Sequence, residues 1–146
     1  PNGDVGDITT SGTSTSFNTS SDYRLKENAV AIADGIIRLK TLKPYRFNFK
    51  ADASTTVDGF FAHEVTAVPE AITGTKDGMK PETYYEEGDT IPTGKVVGDV
   101  KTYSSTEPKY QGIDQSKLVP LLTAALQEAV AKIEVLETKV AALEGS

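Results

Sequence analysis

The last quarter of the chain constrains the fold most. From Val119 a heptad runs without a slip: Val119, Leu126, Ile133 and Val140 occupy a, and Leu122, Ala129, Leu136 and Leu143 occupy d. Four heptads of this kind specify a long helix packed in a coiled coil. The flanks agree, because Lys132 at g faces Glu137 at the next e of a neighbouring helix, and Lys139 faces Glu144. Asp114 is placed to cap the start and Gly145 to end it, giving a helix over 114–144. Pro120 conflicts with a helix that begins at Asp114, where it removes one backbone hydrogen bond at ~3 kcal/mol. A short turn over 114–118, with the long helix beginning near Pro120, resolves the conflict. One reading is a helix of a bundle within the chain; no second heptad helix exists in the sequence, so self-association is the better reading. β-branched residues at a with Leu at d lean toward dimers. Ala129 leaves a gap in the seam that another element can fill.

The chain has 146 residues, enough for one modest domain. Its net charge of −6 argues against nucleic acid or an anionic membrane as the main partner. With no cysteine and one histidine, His63, neither a disulfide framework nor a His-rich metal site is expected, and no cofactor is implied. No apolar run approaches the ~18 residues of a membrane span, and the N-terminus lacks a secretory pattern. The opening PNGDVG reads as the middle of something larger.

Four zones follow from composition. Residues 1–20 are rich in Ser, Thr and Gly and cannot bury a core alone, although DITT and SFNTS can pair as edge strands on a partner. Residues 21–71 are the most globular part. ENAVAIADGIIRLKTL carries Val30, Ala33 and Ile37 at helical spacing, with Gly35 breaking the helix into two pieces. Tyr45, Phe47 and Phe49 alternate as in a strand. DGFFAHEVTAVPEAI reads as a strand or turn entering a short helix that Pro69 ends. Residues 73–109, dense in Gly, Pro, Lys and Glu, are too long for a structureless loop and read as a protruding hairpin-like arm. The expected class is α+β: a small mixed globular part, a protruding arm and a long C-terminal coiled-coil helix.

SSDYRLKEN, residues 20–28, raises the question of whether Ser21 only caps a turn or acts as a nucleophile. Inside one helix Ser21 and Lys26 lie ~140° apart and cannot meet. If Ser21 is extended just before the first turn, Lys26 folds back toward it, and serine with lysine is a nucleophile–base pair. The plainer reading is that Ser21 or Asp22 caps a helix and Lys26 is a solvated charge.

Read with the rest of the chain, this stretch resembles the peptidase S74 family, the C-terminal intramolecular chaperone domains of bacteriophage tailspikes, endosialidases and tail fibres. The similar stretches are SDYRLKEN (21–28), LKTLKPYRFNF (39–49), DGFFAHEV (58–65) with VPEAI (68–72), and YQGIDQSKLVPLLTAALQEAVAKI (110–133). They follow the family's order over nearly all of residues 21–133, and GDITTSGTSTSFNTS looks like the end of a fibre shaft. The arm matches in position only. The resemblance implies a homotrimer, in preference to the dimer toward which the seam leans. It implies a module that guides folding of the preceding shaft in the same polypeptide and then cuts itself off at the Ser20–Ser21 bond, with Ser21 and Lys26 as the dyad. On that reading residues 1–20 end the shaft and 21–146 form the autoprocessing domain. It works in the host cytoplasm during virion assembly and leaves the mature fibre on the virion tail. The rival is a permanent trimerising cap without proteolysis.

A lysine base must be neutral. Against a reference near ~10.4, holding a lysine half neutral at pH 7 costs about 4–5 kcal/mol, which burial in a trimer can supply. A single turnover at ~10⁻³ s⁻¹ needs a barrier of only roughly 21–22 kcal/mol. Arg24 either binds the developing oxyanion or fixes Asp22. His63 and Glu64 are candidates for orienting the site, or a structural pair near an apolar run.

Overall fold

The computed structural model describes residues 6–103 and 106–145. Residues 1–5 of the Ser/Thr/Gly-rich zone, 104–105 of the arm and 146 lie outside that description. The chain forms two compact units, 1–31 and 32–146.

In the first unit, strands β1 (Gly6–Ser11) and β2 (Ser14–Thr19) pair antiparallel in unbroken register from Gly6–Thr19 to Ser11–Ser14. The two segments expected to reach a partner's sheet edge pair here with each other. Gly12, in the left-handed region at φ 55°, makes the two-residue connection possible. Strand alternation puts Ile8 opposite Phe17 on one face and Asp7 opposite Asn18 on the other. All twelve strand residues are exposed, so the hairpin shields none of its own apolar face. A single 3-10 turn, Tyr23–Leu25, follows. Residues 29–34 carry no helix, against the reading of a helix on both sides of Gly35. Val30, whose spacing suggested it, is 88% exposed, so burial gives no reason for a helix there.

The second unit begins with α1 (Gly35–Leu39), the one piece of that helix that forms. Its register on the chain is set by α2 (Val119–Glu144), a 26-residue helix about 39 Å long. Gly35 lies so close to α2 that a Cβ there would fall 2.5 Å from Ala125 N. The Glu128 carboxylate reaches back to accept from Gly35 N at 2.5 Å and Ile36 N at 3.3 Å, satisfying two of the amides a helix start leaves open. Tyr45–Phe49 forms β3 as its alternation requires, paired antiparallel with β4 (Asp52–Gly59). Two 3-10 turns follow, Ala62–Glu64 and Pro69–Ala71. Pro69 therefore opens a turn instead of ending a helix, because its missing N–H is no loss in a first turn.

β5 (Ile72–Thr73) pairs antiparallel with β8 (Gly112–Ile113), closing the base of the arm. Within the arm, β6 (Thr83–Tyr84) pairs irregularly with β7 (Val100–Thr102), and Met79 bridges Pro108. No described residue of 74–110 is buried, so the arm adds nothing to the core. A 3-10 turn, Gln115–Leu118, capped by Asp114 through its bond from Ser116 N, precedes α2, with Pro120 in the first turn. This is the arrangement by which the proline conflict resolves.

The core is small. Val65, Val68, Ala71, Leu118 and Leu121 are buried together, with Leu42, Phe60, Ile72 and Ile113 packed around them. Ala124 and Ala125 are buried under α1. The chain is thus mixed α+β, small antiparallel sheets with one long C-terminal helix. Its own core uses Leu118, Leu121, Ala124 and Ala125, a stripe distinct from the heptad seam. Val119, Leu122, Leu126, Ile133, Leu136, Val140 and Leu143 are 45–77% exposed.

Candidate active site

Four of the residues picked out from the sequence meet in the first unit. Asp22, in extended geometry at φ −62° and ψ 133°, caps the Tyr23–Leu25 turn by accepting from Arg24 N at 2.8 Å. Leu25 N bonds Asp22 O and Lys26 N bonds Tyr23 O, both at 3.1 Å, so the chain reverses within five residues. The reversal carries Lys26 Nζ to 2.6 Å from Ser21 Oγ. The pair meets as expected for Ser21 preceding a turn, although the turn is 3-10 and Lys26 stands at its end, extended at φ −123° and ψ 141°. Both residues are exposed within the single chain.

Arg24 goes to Asp22. Its Nε and Nη2 donate to Oδ1 and Oδ2 at 2.9 and 2.7 Å, a two-pronged ion pair. Of the two roles weighed for Arg24, this contact is the one that fixes Asp22. The Arg24 side-chain bonds foremost, then its backbone N–H, hold the Asp22 carboxyl below the ordinary carboxylate range, with the Lys26 charge adding a smaller pull. Asp22 therefore stays ionised, and Arg24 and the turn amide are tied to one carboxylate.

His63 and Glu64 belong to the second unit and lie on the Ala62–Glu64 turn. His63 is exposed and stacks on Phe61 at 6.2 Å between ring centroids. Phe61 in turn lies against Tyr45 at 4.8 Å and Phe47 at 6.0 Å. Lys43 Nζ is 3.3 Å from Glu64 Oε1. The Tyr45 hydroxyl most, then Lys43, hold the Glu64 carboxyl below its ordinary range against the opposing effect of burial. Glu64 Oε2 is buried, and no hydrogen bond of ordinary geometry reaches it. These contacts fit the structural reading of the pair.

Sequence reasoning passed over Glu128, which holds α1 on α2. Its signal was an acid on the same helix face as Leu121, Ala124 and Ala125, where a solvated charge has no reason to sit.

Among the described residues no helix is long and apolar enough to cross a membrane, and no group of three or more His, Cys, Asp or Glu side chains is placed to hold a metal ion. Compared with known proteins, the chain matches no family model and no curated protein sequence.

Proposed function

We propose that the chain is an autoprocessing assembly module of the S74 peptidase type: it associates as a homotrimer, assists folding of a fibre shaft that precedes it in the same polypeptide, and cuts the Ser20–Ser21 bond. The observation that carries this reading is the 2.6 Å approach of Lys26 Nζ to Ser21 Oγ. A nucleophile and its base need that distance, and a solvated lysine does not.

The reaction balances with one water. Ser21 Oγ adds to the Ser20 carbonyl carbon while its proton passes to neutral Lys26. The Ser20–Ser21 C–N bond then breaks, and Lys26 returns the proton to the departing amine. Ser20 is left as an ester on Ser21 Oγ, with the Ser21 α-amine free. Water, deprotonated by Lys26, hydrolyses that ester to the Ser20 carboxylate and the free Ser21 hydroxyl. The Asp22–Arg24 pair holds the turn that brings Lys26 back. In a single chain Lys26 is open to water, so the reading assigns its desolvation to assembly.

The uncovered seam of α2 supports association. Seven large apolar residues, Leu143 included, lie along one stripe that the chain leaves exposed, and full burial of such a side chain is worth about 1.5–3 kcal/mol. The g-to-e pairs Lys132–Glu137 and Lys139–Glu144 give neighbouring copies matched flanks. The number three, the viral setting and the shaft come from the S74 resemblance.

Mass spectrometry of the purified chain tests the reading. Wild type should give a fragment beginning at Ser21, while Ser21→Ala and Lys26→Ala stay full length with unchanged helical circular dichroism. A wild type that stays whole favours the permanent cap. Lys26→Ala cutting at the wild-type rate removes lysine from the mechanism.

A further inference from the structure

The bond assigned to cleavage lies one residue beyond the last pair of the β1–β2 hairpin, where Thr19 faces Gly6. We infer that this end of the hairpin is a positioning element for the cut: the Gly6–Thr19 pair and the Asp7–Asn18–Thr9 side-chain network behind it hold the Ser20 carbonyl in line with Ser21 Oγ. The inference rests on the Ser21–Lys26 reading above.

The need for such an element follows from covalent geometry. Between Ser21 Oγ and the Ser20 carbonyl carbon lie only Cβ, Cα and N. Their separation is therefore set by two rotations, χ1 and φ of Ser21. Lys26, bonded to Oγ, restrains the first. The second is the angle between the dyad turn and the peptide plane arriving from β2, and nothing in the turn fixes it. What precedes Ser20 must do so, and that is a strand held in register to its last residue.

The end of the hairpin is built for close pairing. A Cβ on Gly6 would fall 2.3 Å from Asn18 O and 3.3 Å from Thr19 Cα, so only glycine permits the observed approach. Asn18 Nδ2 donates across the ladder to Asp7 Oδ1 at 2.6 Å and to Thr9 Oγ1 at 3.0 Å, and Thr9 Oγ1 donates to Asp7 Oδ1 at 3.2 Å. Gly6, Asp7, Asn18, Thr19 and Ser20 together line a shallow depression beside the bond. A two-stranded hairpin alone is marginal in water. The rate of cutting then follows the fraction of chains in which this end is paired, so cleavage waits until the strand before the bond is in place.

The test is a time course of cleavage of the 146-residue chain, measured by mass across a range of pH. Gly6→Ala should lower the maximal rate by at least about tenfold, since misplacement of reacting groups by ~1 Å costs up to 10². Asn18→Ala should lower it severalfold, and the exchange Asp7→Asn with Asn18→Asp, which restores a cross-strand amide–carboxylate bond, should bring it back within about twofold. The pH of half-maximal rate should stay at the wild-type value in all three, because the base is untouched. Gly6→Ala and Asn18→Ala cutting at the wild-type rate, or a midpoint that moves with the rate, overturns the positioning role while leaving the dyad intact. Cleavage surviving in Ser21→Ala, or no cleavage in wild type, overturns the dyad reading and this inference with it.

Discussion

Adding one methyl group at Gly35 probes how α1 is held on α2. The Cβ of alanine would fall 2.5 Å from Ala125 N, 2.8 Å from Ala124 C and 2.9 Å from Ala125 Cα, all backbone atoms. Ordinary contact begins near 3.4 Å, so α1 must move off by about 0.9 Å. No rotamer change relieves a clash with backbone, and overpacking of this kind costs about 1–3 kcal/mol. The same movement stretches the two bonds from Gly35 N and Ile36 N to Glu128. Bonds to a charged group contribute about 1.5–3 kcal/mol when intact, less at a half-exposed site, so weakening them adds about 1 kcal/mol. Against this, alanine is favoured over glycine in a helix by about 1 kcal/mol. The net is a loss of about 2 kcal/mol. With a urea slope of about 1–3 kcal/mol per molar, the unfolding midpoint of Gly35→Ala should fall by about 1 M. Adding Ala125→Gly should not restore it, because the obstacle is main chain. A midpoint at or above wild type, or rescue by Ala125→Gly, would refute the close approach of the two helices.

Three further outcomes are expected. Replacing Ile133 and Leu136 with Asp puts charges into the proposed seam at several kcal/mol per assembly; sedimentation should show a monomer whose Ser20–Ser21 bond survives, and efficient cutting by that monomer would separate catalysis from assembly. Replacing 76–106 with a short turn should leave the helix content and thermal midpoint of the domain nearly unchanged, since β5 and β8 close the base without the arm; collapse on circular dichroism would place the arm in the core. The Asp22 carboxyl, lowered chiefly by Arg24, should titrate by carbon NMR below the ordinary aspartate range, and Arg24→Gln should raise it. Its support of the turn is then present above the unfolded-state value and is lost as pH falls through the folded one.

Much of this fold could be read from local pattern. The alternation of Tyr45, Phe47 and Phe49 gave β3, and the heptad with Pro120 gave α2 its length and start. Asp22 and Asp114 cap as short acids before turns do. What escaped depends on partners distant in the chain. Val30 and Ala33 have helical spacing, but only the stretch held by Glu128, more than ninety residues away, forms α1. DITT and SFNTS have strand composition, and their mutual register depends on a glycine turn between them. The stripe of Leu118, Leu121, Ala124 and Ala125 was hidden by the stronger heptad that it accompanies one residue out of step. At the candidate site, spacing left Ser21 and Lys26 open between a pair and a cap beside a solvated charge, and the S74 resemblance favoured the pair; the contact of Arg24 with Asp22 depends on how the turn folds and could not be read from spacing.

That one-residue offset has a consequence for time as well as space. Leu121–Leu122 and Ala125–Leu126 are successive neighbours, so the two apolar stripes of α2 stand about 100° apart. The inner stripe ends near Glu128, and every described residue from Val130 to Gly145 is exposed. Part of the helix is therefore anchored and the rest is an exposed rod, near the length at which isolated helices become marginal. Amide protons along it form a clock in the lone chain: slow to exchange with deuterium up to Glu128, progressively faster toward Glu144. Association through the outer stripe would stop that clock along its whole length, reporting assembly amide by amide.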